Sequence, residues 1–531
     1  MATPQVSSQN SNKSPPANAA GAASDDEKSK SGKPAAVITM MAFAIMNITT
    51  ILSLRGLPAQ AEYGLTSIFY YVFAAIVFLI PTALVAAELA AAFPKQGGVF
   101  RWVGEAFGPR WGFAAIYYQW QAIVIWFPTV LIYGAVALAY VWWPQTFDRA
   151  LAGNKLYTIG VVLAVYWAVT LFSFRGVGAS SKLSAIGGLF GTIIPGAILI
   201  LLGALYVAMG KPVQMPLNTG FLPDFGNFHN MVLAASVFLF FAGMEMQAVH
   251  IKQLKNPTRD YPISILVATI VVIAIFVLGT LAVGVVIPQK DINLNQSLLI
   301  AYRDLWSVVH LPWLGNVMAV MLVLGVLGQA AVIVSGPSTG LLAVGKAGYL
   351  PHLLQKTNKN GIPTSILLIQ GGLVTLLCVA FTVLPSVQST YQLLGQMATI
   401  IYLLMYLIMF IAGITLRYTR PNIARPFKIP GGNVGMWVVG SVGLAGALIA
   451  TVFSFIPPAQ ISTGNPAVYV GTLLAGSAIF AVIPFVIHAF HKPAWKAADS
   501  DFEPFEKSAS APSAKTPVAV GAKPITVGGA D

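Results

Sequence analysis

Long apolar runs, separated by short stretches that hold most of the charge, follow one another along this chain from about residue 35 to residue 490. Each run is close to the ~20 residues that a helix needs to cross the hydrocarbon core of a bilayer. Read by hydropathy, they predict about twelve spans. The first six fall at 35–55, 65–92, 112–142, 157–173, 182–209 and 230–251. The next six fall at 262–287, 313–345, 363–384, 388–416, 436–456 and 467–490. Alternating strands of the outer-membrane barrel type form no part of this pattern. The expected fold is all-α and polytopic, with about 12 transmembrane helices.

Composition supports the same reading. Of 531 residues 56% are apolar and only 9% charged, too few charges to cover a water-soluble chain of this size. The net charge of +13 would suit a nucleic-acid partner. Its placement between apolar runs, with no clustered basic face, excludes that class. The single cysteine, Cys378, falls in a predicted span and reads as a small packing residue. No cofactor or metal is expected.

Residues 1–33, rich in Ser, Ala, Asn and Pro and carrying Asp25, Asp26 and Glu27, read as a disordered tail and not a signal peptide. Residues 492–531 read as a second disordered tail. Residues 34–491 between them form the transmembrane domain. One set of loops holds most of the basic residues, among them Lys95, Arg101, Arg259, Lys359 and Arg425. The opposite set holds only Arg55, Arg149, Lys155, Lys211, Lys290 and Arg303. The bias makes the first face cytoplasmic, with both tails on it, in a cell inner membrane.

Once the loops are assigned, Glu88 and Glu245 remain as charges at lipid depth, with no Lys or Arg mid-span. Intramembrane carboxylates face a cavity or a partner. Glu88, near the end of span two, is expected to reach the interface or cap loop amides. Glu245 lies deeper, in FAGMEMQAVH, just after Gly243. Transporters built from inverted repeats bind substrate where the first helix of each repeat breaks at mid-membrane. Span six, with a glycine beside a buried acid, suits such a break. Span one is its counterpart: MNITTILSLRGLP sets Asn47, Thr49, Thr50 and Ser53 on an apolar helix, although such hydroxyls also bond to their own helix carbonyls. Five spans followed by five match a repeated unit.

Most other polar and aromatic features have simpler readings. Tyr117, Tyr118, Trp120 and Trp126 on span three are expected mainly to pack against neighbours. Trp142 and Trp143 suit the interfacial belt. Pro81, Pro128, Pro195 and Pro337 are kink sites, and His250 is an interfacial histidine. A membrane enzyme would need a convergent catalytic set, and a channel would need a filter or charge ring; neither pattern is visible. A sensor that binds without carrying stays open as an alternative to a carrier.

Three segments resemble motifs of the amino acid–polyamine–organocation superfamily. They are AELAAAFPKQGGVFRWVGEAFGPRWGF from Ala87, GMEMQAVHIKQLKNPTRDYP from Gly243, and GPSTGLLAVGKAGYLPHLLQKTNKNGIP from Gly336. The runs Asn358–Pro363 and Arg425–Gly432 are similar to those of its glutamate/γ-aminobutyrate antiporter branch. The resemblance implies a LeuT-like five-plus-five repeat with two added helices, alternating access, and transport of amino acids or their amines. It makes Glu245 the glutamate of the broken sixth helix, and Tyr402 and Tyr406 the tyrosines facing the pathway. Ile333 stands where relatives often carry a tryptophan, and Gln329 where glutamate antiporters carry a second acid. Acidic and neutral amino acids and amines therefore all stay open as substrates. Span one has Ile51, Leu52 and Ser53 in place of a Gly-x-Gly break. The span-five region GGLFGTIIPG lacks the lysine of some proton-coupled relatives, which favours exchange over proton symport.

The candidate substrate-binding set is Thr49, Thr50, Ser53, Gly243, Met244, Glu245, Gln329, Ile333, Tyr402 and Tyr406. Free amides at the break suit a substrate carboxylate. Glu245 is expected to gate the pathway and meet the ammonium, directly or through water, and its protonation is a candidate route for coupling transport to pH. The expected partners are an amino acid or amine and the lipid bilayer, with no nucleic acid and the oligomeric state open.

Overall fold

The structure, a computed structural model, describes residues 39–93, 97–142, 148–215, 220–226, 228–248, 254–380, 386–458, 464–498, 500 and 502–505. Trp143, His250, the tail 1–33 and residues 506–531 lie outside the described residues. The described chain is a helical bundle. Its helices are α1 (Met40–Ile51), α2 (Leu57–Ala61), α3 (Thr66–Ala92), α4 (Val99–Phe107) and α5 (Pro109–Ala139). Next come α6 (Lys155–Ser173), α7 (Lys182–Ala208), α8 (Ser236–Phe241), α9 (Met244–Ala248) and α10 (Pro257–Val286). Then follow α11 (Ser297–Val308), α12 (Leu314–Val344), α13 (Thr364–Ala380), α14 (Val387–Thr419), α15 (Gly432–Ser454) and α16 (Pro466–Ala489).

Nine described helices are long and apolar enough to cross a bilayer, or ten if the bent pair α1–α2 is one span. Two shorter apolar segments, Val232–Met246 and Thr364–Ala380, accompany them. All these elements fall on the predicted runs except α2, which carries the first span on to Ala61, beyond its predicted end at 55. Helix α10 starts earlier than expected, because Pro257 near its first turn, preset for helical φ, carries Arg259 and Asp260 into the helix.

The helices form nested layers. Helix α5 is the hub, with 83% of its most apolar window buried against 17% for α16 at the rim. Leu201, Val434 and Ile479 turn outward and are 62–73% exposed, as lipid-facing side chains must be. Glycines permit the closest approach: a Cβ on Gly191 would lie 2.2 Å from Gly325 Cα, and one on Gly187 would lie 2.8 Å from Gly328 Cα. This small-residue contact clamps α7 to α12. Pro81 and Pro195 each follow a wide turn, Ala75–Leu79 and Leu189–Ile193. The widened turn accommodates a ring that lacks an amide hydrogen and would clash with the preceding carbonyl. Pro128 and Pro337 sit within continuous helices.

Two spans break. Between α1 and α2, Leu52 (φ −64°, ψ 115°) and Ser53 (φ −142°, ψ 117°) are extended, and the axis bends by 41°. Between α8 and α9, Ala242 is extended (φ −73°, ψ 148°) and Gly243 takes φ +115°, which a side chain would strain.

Glu88 does cap a loop amide, that of Ile429 at 2.8 Å, yet its setting differs from an exposed interface. It is 2% exposed and bound bidentately by Arg417, with Arg425 at 3.3 Å. Span two is thereby tied to α14 and to the run before α15. The C-terminal segment, expected to be disordered from residue 492, is ordered over most of 493–505. Arg101 Nη1 donates to the Glu503 carbonyl at 2.6 Å, and Phe505 is buried against Gly104. Its aromatic residues, Phe502 and Phe505, flank the Arg101 guanidinium, giving a Ser- and Ala-rich tail enough apolar and cation–π contact to order.

Candidate functional site

The two broken spans meet. A Cβ on Gly243 would sit 3.4 Å from Thr50 Cγ2, and the Phe240 ring lies directly against Gly56. Backbone irregular in both segments cannot close flat against its neighbour, and a cavity of about 60 Å³ opens between them. One ordered water needs roughly 10–15 Å³ of such space, so the cavity has room for a small solute fragment or several waters. Thr50, Ser53, Arg55, Trp126, Phe240, Ala242, Gly243, Met246, Gln329, Ile333 and Tyr402 contribute to its wall.

Glu245 stands one layer behind that wall, 1% exposed. Its Oε1 accepts from Gln119 Nε2 at 2.9 Å and from the Tyr402 hydroxyl at 2.7 Å, and its Oε2 accepts from the Tyr406 hydroxyl. Tyr406 also accepts from the Gly243 amide at 2.8 Å. One tyrosine thus holds both the freed backbone at the break and the acid that follows it. All three side-chain contacts are donations to the carboxylate, the pattern an acceptor-only group requires. Tyr402 belongs to both the network and the cavity wall, so it is the route by which the cavity meets Glu245.

Arg55 is the unforeseen member. Hydropathy places it in an external loop, which leaves no basic residue mid-span. The structure corrects this: Arg55 sits in the turn Leu54–Gly56 between α1 and α2, 4% exposed and on the cavity wall. The break, invisible in hydropathy, turns the chain inward before the span ends. Its guanidinium carbon lies 5.0 Å from the Trp126 ring centroid and 5.2 Å from that of Phe240, and Nη1 donates to Thr129 Oγ1 at 2.7 Å. Nε has no partner.

The other predicted residues divide cleanly. Thr50, Ser53, Gly243, Gln329, Ile333 and Tyr402 line the cavity; Thr49, Met244, Glu245 and Tyr406 do not. Thr49 faces Gly188 and donates to the carbonyls of Ile45 and Met46, the local bonding that was its alternative. Trp126 lines the cavity. Tyr117 and Trp120 instead border a separate apolar cavity of about 310 Å³, and Tyr118 donates to the Ala481 carbonyl. Gln119 escaped notice because one amide inside YYQWQAIVIW carries little signal by itself. Outside the spans, burial pushes the Glu62 carboxyl, just past α2, up to about 7.

Comparison with known proteins adds the following. The amino acid permease family model matches residues 38–479. An uncharacterized transporter of Legionella pneumophila is 38% identical over 86% of this chain and 97% of its own. A glutamate/γ-aminobutyrate antiporter of Lactococcus lactis is 33% identical over 86% of this chain and 90% of its own. A probable agmatine/putrescine antiporter of the same species is 23% identical over 78% of this chain.

Proposed function

Because the chain belongs to the amino acid permease family, within the amino acid–polyamine–organocation superfamily, we propose that it is an antiporter exchanging amino acids of the glutamate/γ-aminobutyrate type. It is a multi-pass membrane transporter of amino acids and not an enzyme. The cavity between the breaks at Ser53 and Gly243 carries the reading. A small zwitterion there meets irregular backbone from both segments, the environment in which transporters bind solutes at mid-membrane. The proposed frame is twelve crossings in a five-plus-five repeat with two added helices, in the inner membrane, with both termini cytoplasmic.

Alternating access then needs the two broken segments to move against α5 and α12, and Glu245 is suited to gate that motion. Its three donors come from α5 and α14, so it joins the broken sixth span to both. Any change in its charge or hydrogen bonding alters how that span is held. Glu245 acts on the solute through Tyr402, the residue common to network and cavity. Similarity to the antiporters of Lactococcus lactis over most of the chain supports exchange over symport.

Counterflow in proteoliposomes tests this. Vesicles loaded with unlabelled glutamate or γ-aminobutyrate should take up the labelled partner, and a competition panel at two pH values should rank the substrates. Uptake that ignores the internal solute but follows an imposed proton gradient would replace exchange with symport.

A further inference from the structure

We propose that Arg55 is the residue that selects the solute, by pairing with a carboxylate of it, so that this cavity takes carboxylate-bearing amino compounds and rejects diamines. The inference rests on the transport reading above and names the chemistry of its binding site.

Three observations lead there. Arg55 is the one charged side chain on the described wall of the cavity, and no acid faces it across the space. No carboxylate among the described residues pairs with it: the ion pairs there join other arginines to Glu88, Glu105, Asp148 and Asp304. Its neighbours are the rings of Trp126 and Phe240, the Thr129 hydroxyl, and the phenols of Tyr133 and Tyr391.

A buried guanidinium keeps its charge, and rings and hydroxyls compensate for it only in part. Two groups beside it have unspent hydrogen bonds, Arg55 Nε and the buried Tyr133 hydroxyl. Arg55, Ser53 and Gln329 also border a second space of about 20 Å³ that Tyr133 helps to line. The guanidinium thus stands where the two spaces meet, held by Thr129 and stacked by two aromatic rings, with donors left over. A carboxylate matches that geometry and cancels the charge. An ammonium would place like charges together in a site of low polarity. Gln329 sharpens the selection, because an amide there adds no negative charge to attract a second cation. The site therefore distinguishes γ-aminobutyrate or glutamate from putrescine, which has an amine of similar reach and no acid.

The test uses the full-length protein in proteoliposomes, with labelled γ-aminobutyrate exchanged against the internal unlabelled solute and competed by glutamate, γ-aminobutyrate or putrescine. Wild type should be inhibited far more strongly by the two carboxylates than by putrescine. Arg55→Gln should raise the KM for γ-aminobutyrate roughly thirtyfold or more, as loss of one partner of a buried charge pair does, and largely erase the discrimination. Arg55→Lys should lie between. Putrescine competing as well as γ-aminobutyrate in wild type would overturn the assignment, and so would an Arg55→Gln protein with unchanged KM and ranking. If Arg55→Gln fails to fold, the wild-type and Arg55→Lys rankings decide. Thermal stabilisation by the same compounds separates this inference from the transport reading. Carboxylate-specific stabilisation without exchange would keep the site and remove the transport; exchange with unaltered discrimination in Arg55→Gln would do the reverse. Neither exchange nor stabilisation would remove both.

Discussion

Arg55 and Arg417 are two arginines buried almost equally, 4% exposed each, and their surroundings differ in one respect. Arg417 faces Glu88, which binds it bidentately and also takes the Ile429 amide. Arg55 faces a hydroxyl, two tyrosines and two rings. Each also has an unbonded nitrogen, so hydrogen-bond count alone does not separate them. Charge does. The first cation is compensated by its own protein and ties helices together; the second is compensated only in part, beside a cavity. A buried ion that meets no carboxylate among the described residues is a binding determinant before it is a structural one.

The largest expected effect tests that division directly. Glu88→Ala should leave Arg417 buried without its main counter-charge and cost about 3–5 kcal/mol of stability, read as a collapse of the unfolding midpoint in detergent. Arg55→Met removes a cation that meets no carboxylate among the described residues, so its midpoint should stay close to wild type while exchange falls. Equal destabilisation by the two substitutions would break the comparison.

Next in size is the network behind the cavity. Tyr406→Phe removes the acceptor of the Gly243 amide and a donor to Glu245 together, and unsatisfied buried groups cost about 1–3 kcal/mol. Exchange should fall roughly tenfold on the same basis, with Tyr402→Phe milder because Gln119 still serves the same oxygen. Glu245→Gln should also lower exchange and change its pH profile, since its amide would turn N–H groups towards hydroxyls that now donate to it. Unchanged exchange with an unchanged profile would remove Glu245 from the gate.

Smaller still is the backbone term. Gly243→Ala meets only an ordinary van der Waals contact, Thr50 Cγ2 at 3.4 Å, but must adopt φ +115°. The expected cost is roughly 1–2 kcal/mol, set by conformation and not by clash. Glu62, away from the cavity, should affect stability and its pH dependence and leave exchange unchanged. Its carboxyl is raised from 4.5 to about 7 by burial, so the folded state holds its proton more tightly than the unfolded chain. Stability from this group is greatest below pH 4.5 and declines as pH rises towards 7. Glu62→Gln should remove that decline, so its unfolding midpoint should gain on wild type between pH 5 and pH 8.

The bundle was legible in the sequence because lipid imposes one repeated demand, about twenty apolar residues per helix, and this chain meets it with little charge to confuse the count. The sixth-span break was legible too, since Gly243 and Glu245 announce it together. The first break was expected as its counterpart but blurred in position: Leu52 and Ser53 are extended without any glycine, so only the polar stripe around Thr50 marked it. Arg55 was misplaced for that same reason, as hydropathy puts an arginine after an apolar run into a loop. Glu88 and Arg417 lie 329 positions apart, and no local pattern marks such a pairing. The structure sets the residues named from family resemblance at different depths. Tyr402 reaches the cavity, whereas Tyr406, one turn further along the same helix, holds the break from behind.

The most direct test of the whole account is a cysteine placed at Thr50 in a Cys378→Ala protein, reacted with a small charged thiol reagent. If solutes pass between the two interrupted spans, modification should abolish γ-aminobutyrate counterflow, and excess glutamate or γ-aminobutyrate should slow the labelling. Full exchange by completely labelled protein would contradict the account.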